Sequence, residues 1–161
     1  MLAVQPVLDR LDVDTDFLLF GFVDWIGHLA TGVVLVALLR PPRRVVAGIL
    51  AGSVLIDLDH LPLELGTDIL THGTPRPYTH SLLTLVVVLA VAAAMRSQLL
   101  LGAAIGLAGH LARDLGSGDV VLLWPLSKTS DSVPFAVYIA ALAVTAGLAA
   151  ARPTALRRSP R

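Results

Sequence analysis

Cysteine is absent from this 161-residue chain, and charged residues make up only 15% of it. Without cysteine there can be no disulfide, thiolate zinc site, iron–sulfur cluster or cysteine nucleophile. The chain also lacks a Walker loop, a dinucleotide-binding glycine fingerprint and a basic patch for nucleic acid, which speaks against these classes of protein and predicts no nucleic-acid partner. A soluble domain carries about a quarter charged residues, so the low charge content argues against one.

Apolar residues are abundant instead: they form 55% of the chain, and the mean hydropathy is +0.78. They come in Leu-, Val- and Ala-rich runs, and a helix that crosses a bilayer needs roughly 20 such residues. The sequence therefore predicts an all-α, polytopic membrane helix bundle with about five transmembrane helices. We expect these spans at about 21–39, 45–56, 79–95, 99–115 and 134–151.

The predicted organisation is one membrane-embedded domain, residues 21–151, between an acidic segment 1–20 and a basic tail 152–161. The acidic segment resembles neither a cleaved signal peptide nor a clear helix, although a short interfacial helix is an alternative to a frayed tail. Thr79, with Pro77 upstream, is the predicted N-cap of the third span. The apolar segment 120–125 is too short to span, so we expect it to lie in the interface or to re-enter the bilayer.

Basic residues are distributed unevenly between the two ends of these spans. With five spans, eight of the twelve basic residues fall on the side of loops 40–44 and 96–98 and of the C-terminal tail. The positive-inside rule then predicts a cytoplasmic C-terminus and an N-terminus outside. All twelve acidic residues and all five histidines fall on or near the outer side.

Several of these polar residues lie inside apolar segments or at their edges. An ionisable side chain at the centre of a span costs roughly 2.5–3.5 kcal/mol on insertion scales, so it is expected to face the bundle interior and to have a partner there. His110 and Asp114 lie one helical turn apart on one face. The other such residues are Asp24, His28, Asp57, Asp59, His60 and His80.

Imidazole nitrogens and carboxylate oxygens together form a ligand set suited to zinc, and also to manganese or iron. We therefore predict a site for a divalent metal ion, most simply zinc. It would be one mononuclear site or two close metals that share a bridging aspartate. Asp24, Asp59 and His60 are expected to orient ligands, Asp59 is also the predicted general base, and Arg76 is expected to stabilise an anionic transition state. The predicted metal ligands are His28, Asp57, His80, His110 and Asp114.

Three motifs resemble the YdjM-like inner-membrane family: Asp57-Leu-Asp59-His60, Arg76 ahead of Thr79-His80-Ser81, and Gly109-His110-x-x-x-Asp114 followed by Trp124-Pro125. The likeness covers roughly residues 25–126, and His28 matches the family's early histidine. Its members are described as LexA-regulated, membrane-bound, metal-dependent hydrolases. They are grouped by analogy with zinc phospholipase C-type enzymes, so the resemblance implies a phosphoester substrate.

The chain departs from the family pattern at two places. Ile56 replaces a proline, and residues 75–78 replace a His-Arg-Gly sequence of which only Arg76 remains. His72, a few residues upstream, is the one histidine near enough in sequence to replace the missing one.

Residues and resemblance together predict a membrane-bound metal-dependent hydrolase that acts on an ester or phosphoester, most simply a lipid or a lipid-linked molecule. The strongest alternative is an ion or proton-coupled transporter that uses the same polar cluster. A third is a structural or partner-binding membrane protein whose polar residues only join helices. The inner halves of all five spans lack acids and histidines, which argues against transport because no polar path crosses the membrane.

Overall fold

Five α-helices form the body of the structure, a computed structural model that describes residues 15–64, 66–72, 74 and 76–152. A 3-10 helix, Leu55–His60, and one helical turn, Leu61–Glu64, follow the second α-helix. Within the described ranges there is no β-strand, so the predicted all-α membrane bundle is confirmed. The helices are α1 (Thr15–Leu39), α2 (Arg43–Gly52), α3 (Leu82–Ala94), α4 (Gln98–Ser117) and α5 (Phe135–Ala151).

Three stretches are long and apolar enough to cross a membrane: Phe22–Leu39, Arg43–Leu63 and Gln98–Ser117. Helices α3 and α5 are apolar but shorter, with 13 and 17 residues. Large apolar side chains such as Val86 and Leu148 are exposed on the outside of the bundle. Such a surface suits lipid rather than water as the surrounding medium.

The ends of the helices differ in part from the predicted spans. Helix α1 begins at Thr15 rather than near residue 21, and residues 1–14 and 153–161 lie outside the described part of the chain. Helix α2 ends at Gly52, four residues before the predicted end. There the Ser53 hydroxyl donates to the Ile49 carbonyl oxygen (2.8 Å), and the chain then tightens into the 3-10 helix.

The predicted N-cap of the third span was wrong. Helix α3 begins at Leu82, and its N-cap position is Ser81 rather than Thr79. The Thr79 hydroxyl donates instead to a carboxylate oxygen of Asp59. Thr79 therefore belongs to the polar cluster rather than to the helix terminus.

Helix α4 is the centre of the bundle and packs against each of the other four α-helices. Its approach to α2 is especially close because glycines face each other: Gly48 and Gly52 on α2, Gly102 and Gly106 on α4. A Cβ atom at any of these positions would overlap backbone atoms of the facing helix. Small residues at four-residue spacing are the usual means by which membrane helices approach so closely.

The polar residues gather at one end of this bundle. The middle of α1, the residues after α2, the residues before α3 and the end of α4 contribute to this polar cluster. The apolar segment 120–125 packs over this end: Val120 and Val121 are fully buried, and the Leu82 amide donates to the Leu122 carbonyl oxygen (2.9 Å). The fold thus encloses the polar cluster at one end of the bundle.

Candidate metal centre

Four buried side chains from three parts of the chain meet at this end of the bundle. His110 and Asp114 project from α4 one turn apart, as predicted, and both are fully buried. Asp57 comes from the 3-10 helix, and its side chain is 7% exposed. His80 comes from the connection before α3 and is also fully buried. We call these four residues the metal tetrad.

The donor atoms of the tetrad lie at close and similar separations. His80 Nε2 and His110 Nε2 are 3.1 Å apart. Asp57 Oδ1 lies 3.4 Å from His80 Nε2 and 3.3 Å from His110 Nε2. Asp114 Oδ2 lies 3.6 Å from His80 Nε2 and 3.0 Å from His110 Nε2. Each of the two carboxylate oxygens therefore lies within 3.6 Å of both imidazole nitrogens.

The contact made by Nδ1 of each imidazole determines whether its Nε2, which faces the other tetrad residues, carries a proton. His110 Nδ1 donates to the Ser53 carbonyl oxygen at 2.9 Å, and His80 Nδ1 lies 3.2 Å from Asp59 Oδ2. The proton on His110 Nδ1 leaves a lone pair on its Nε2, which is the arrangement found in metal-binding histidines. His80 Nδ1 makes no hydrogen bond in good geometry, and a proton there would face the Asp59 carboxylate. With a metal ion bound, both Nε2 lone pairs would be available to it; without one, the 3.1 Å contact between the two Nε2 atoms is a hydrogen bond that one of them donates.

Buried oxygens of the tetrad lack hydrogen bonds. Asp57 Oδ2 and both carboxylate oxygens of Asp114 have no hydrogen-bond donor in good geometry. Arg76, 3.1 Å from Asp114 Oδ1, compensates part of this negative charge, but a buried carboxylate without hydrogen bonds still costs several kcal/mol. A cation at the centre of the tetrad would supply this compensation to all four residues at once.

The spacing of the tetrad fits a metal ion of ordinary size. With bonds of about 2.0–2.1 Å from zinc to nitrogen or oxygen, the ligands of a tetrahedral site lie about 3.3 Å apart. The five separations above range from 3.0 to 3.6 Å. Donor chemistry and spacing both suit zinc, and nitrogen–oxygen sets also accept manganese or iron.

The environment of His80, which precedes α3 and lies outside the apolar helices, favours a positive charge. Burial lowers the pKa of its imidazole, but contacts with the carboxylates of Asp57 and Asp59 outweigh burial and raise the pKa to about 9. The same carboxylates would favour a metal cation, since protons and metal ions compete for histidine nitrogens.

His28, the fifth predicted ligand, lies beside the tetrad. Its ring stacks on that of His110 with the centroids 3.7 Å apart. His28 Nε2 lies 3.2 Å from Asp24 Oδ2 and 3.3 Å from Asp114 Oδ1. The Arg113 guanidinium donates to Asp24, and its Nη1 lies 3.0 Å from His28 Nε2. The structure thus brings all five predicted ligands together, but His28 meets an arginine as well.

Asp59 lies beside His80 Nδ1, and His60 adjoins the tetrad, with a ring nitrogen within 4.8 Å of donor atoms of Asp57 and His80. Asp59 Oδ1 is 3.0 Å from His60 Nδ1, and Asp59 Oδ2 contacts His80 Nδ1 and accepts from Thr79. These contacts support the predicted orienting role of Asp59. Its role as general base stays a prediction.

Arg76 approaches the site from the connection between α2 and α3. Its Nη1 lies 3.1 Å from Asp114 Oδ1, and its Nη2 donates to the Ser117 hydroxyl at 3.0 Å. The side chain is 18% exposed, so a cationic group lies between the buried tetrad and the surroundings. His72, the suggested replacement for the family's missing histidine, is exposed and stacks near Tyr78 with centroids 6.0 Å apart. It takes no part in the cluster.

A sequence profile of the YdjM inner membrane protein family matches residues 23–160. The chain belongs to this family. Membership and the membrane-span-like helices place it in the inner membrane, in contact with the lipid bilayer. Searches of curated proteins and of solved structures found no match.

The structure accounts for one departure from the YdjM pattern, the isoleucine at position 56. Ile56, in place of the family's proline, packs against the buried apolar cluster of Leu107, Leu111 and Val120. An apolar side chain is therefore useful at this position, next to Asp57.

Two features of the site were missed in the sequence analysis. Arg113 was given no role from the sequence, although an arginine next to the intramembrane Asp114 requires a partner, and this could have suggested Asp24. The Ser53 carbonyl that orients His110 had no signal in the sequence, because any residue has a carbonyl. It is available only because α2 ends at Gly52.

Proposed function

We propose that this YdjM-family protein is a membrane-embedded, metal-dependent hydrolase that cleaves an ester or phosphoester bond in a lipid or lipid-linked molecule. The observation that carries the proposal is the metal tetrad, in which two imidazole nitrogens and two carboxylate groups lie close together and buried carboxylate oxygens have no hydrogen-bond donor. Structural zinc sites are closed by four protein ligands, whereas catalytic sites keep about three and leave one position for water. The partly exposed Arg76 beside the tetrad favours a catalytic site, because it could bind an anionic substrate.

Zinc is the ion that we expect in the tetrad, with manganese or iron as alternatives. A divalent ion held there by about three of the four residues would keep one position open for water, and it would supply Lewis acidity and make that water nucleophilic near neutral pH. His80 and His110 would be its nitrogen ligands: the Ser53 carbonyl orients the ring of His110, and the Asp59 carboxylate lies 3.2 Å from His80 Nδ1. Asp59 is the predicted general base, and we infer that Asp57 Oδ2, which is buried without a hydrogen-bond donor, is a second candidate to accept a proton from water.

Arg76 is the group that we expect to bind the negative charge of the substrate. It is partly exposed, and it contacts Asp114 without being fully enclosed. Fixed cations of this kind stabilise charge that develops on transferring phosphoryl or acyl groups. This favours an anionic substrate, and the exposed apolar surface around the bundle favours one that arrives through the bilayer.

The substrate is tested with the full chain in lipid nanodiscs, loaded with Zn²⁺ or Mn²⁺. The probes are phosphatidylglycerol, water-soluble bis(p-nitrophenyl) phosphate and p-nitrophenyl acetate. We expect metal-dependent cleavage of the lipid phosphodiester, lost in Asp114→Asn. Absence of cleavage of all three probes by every metal-loaded form would overturn the hydrolase proposal, and pH-driven cation flux in proteoliposomes would then support transport.

Asp59→Asn separates the orienting role of Asp59 from a role as general base. If Asp59 orients His80, the substitution weakens metal affinity by about 10–100-fold, as for other residues behind metal-binding histidines. Turnover at saturating metal would then remain close to that of the wild type. Metal titration and kcat at full occupancy are measured together, with Asp68→Asn in the exposed connection as the control. A large loss of kcat at full occupancy would assign the base role to Asp59.

We also propose that the site end of the bundle faces outward and that the C-terminus is cytoplasmic, as the distribution of arginines predicts. The natural absence of cysteine makes the test clean. Lys128→Cys at the site end should react with a membrane-impermeant maleimide in spheroplasts, and Arg44→Cys should react only after permeabilisation. The reverse pattern would invert the orientation while leaving the metal site untouched.

A further inference from the structure

A second group of possible ligands adjoins the tetrad. Asp24, His28 and Asp114 present donor atoms within 4.8 Å of one another. The other groupings with this property, His28–Asp57–His110 and Asp57–His60–His80 among them, each share at least two residues with the tetrad. Among the groupings found in the described residues, Asp24–His28–Asp114 alone shares a single residue, Asp114, with the tetrad. It therefore defines a second position next to the tetrad.

Arg113 already supplies a positive charge at that second position. Its guanidinium donates to Asp24 Oδ1, and its Nη1 lies 3.0 Å from His28 Nε2, the nitrogen that also faces Asp114 Oδ1. Gly27 on α1 leaves space for this side chain, since a Cβ atom at that position would overlap the guanidinium. The Arg113 side chain is only 12% exposed, so its charge is held within the cluster.

The charges of the cluster balance with one divalent ion. Four carboxylates, those of Asp24, Asp57, Asp59 and Asp114, face two guanidiniums, those of Arg76 and Arg113. With the histidines neutral, as metal ligation requires, the cluster carries a net charge of −2. One divalent cation neutralises this charge, whereas two would leave an excess of positive charge in a buried site.

We propose that the centre is mononuclear and that the Arg113 guanidinium takes the place of a second metal ion bridged by Asp114. This inference rests on the metal site of the proposed function but not on its hydrolytic activity. It predicts that removing the guanidinium opens the Asp24–His28–Asp114 position to a second cation. The two ions would then share Asp114, as in two-metal sites whose ions lie about 3.5–4 Å apart.

The test counts metal ions per chain in the purified full-length protein. Wild type, Arg113→Ala, Arg113→Lys and the control Arg96→Ala are incubated with excess Mn²⁺, desalted and measured by elemental mass spectrometry. We expect one ion in the wild type, in Arg113→Lys and in Arg96→Ala, and two in Arg113→Ala. Electron paramagnetic resonance should show isolated Mn²⁺ in the wild type and an exchange-coupled pair in Arg113→Ala.

The outcomes separate this inference from the proposed function. Two ions in the wild type, or one in a folded Arg113→Ala, would overturn the inference while leaving a metal site. No ion in the wild type would overturn the metal-dependent function itself. If Arg113→Ala does not fold, Arg113→Gln keeps most of the side-chain volume without the charge and is expected to bind two ions.

Discussion

Replacing His110 with alanine is expected to remove the metal ion from the protein. The His110 ring contributes Nε2 to the tetrad at 3.0–3.3 Å from Asp114, His80 and Asp57, and it has no exposed surface through which water could replace it. Loss of a residue that only orients a ligand weakens metal binding about 10–100-fold, and loss of the ligand itself should weaken it more. We expect bound metal to fall at least about tenfold from near stoichiometry.

The measurement is metal content by elemental mass spectrometry, on protein purified in mild detergent without a histidine tag. His72→Ala is the matched control, since His72 is exposed and lies outside the cluster. Asp114→Asn keeps the shape of Asp114 but removes its charge, and it should behave like His110→Ala. If both variants kept their metal and lost only thermal stability, the polar residues would be helix-joining groups and the structural alternative would hold.

The residues of the cluster could be predicted from the sequence because the surrounding medium is lipid, in which polar groups need partners. In lipid, each intramembrane histidine or aspartate needs a partner, so His28, His80, His110 and Asp114 had to face inward. The alternation of spans then placed them at one end. The five predicted ligands meet there in the structure.

The roles within the cluster could not be predicted in the same way. Whether a residue is a metal ligand or contacts a ligand depends on differences of a few ångströms in side-chain position, and the spacing of residues along the sequence does not determine these. Thr79, predicted to cap α3, donates to Asp59, and Arg113 occupies the position beside His28. The end of α2 at Gly52, which frees the Ser53 carbonyl for His110, is likewise a consequence of tertiary packing.

The approach of α2 to α4 could have been predicted from four glycines. Gly48 and Gly52 are four residues apart, as are Gly102 and Gly106, and this spacing lets membrane helices pack closely. The structure places the two pairs against each other. This contact sets the distance between Ser53 and His110, so helix packing and metal-site geometry are coupled.

Substituting alanine for Gly106 is therefore expected to destabilise the bundle and to weaken metal binding together. The added Cβ would overlap the Ile49 carbonyl oxygen and press on the Ser53 amide, both backbone atoms that cannot rotate away. Overpacking a close contact costs about 1–3 kcal/mol of folding stability. Separating the helices would also lengthen the 2.9 Å hydrogen bond from His110 Nδ1 to the Ser53 carbonyl oxygen. Thermal unfolding in detergent and metal titration measure the two effects.

Gly147→Ala is the matched control for this substitution. Gly147 is also a helical glycine, but it is exposed on α5, and a Cβ atom there would meet nothing within 4 Å. Because alanine favours a helix over glycine by about 1 kcal/mol, this variant should be at least as stable as the wild type and should bind metal unchanged. If Gly106→Ala matched it in both measurements, the close approach of α2 to α4 would not set the geometry of the tetrad, and the coupling of packing to metal binding would be refuted.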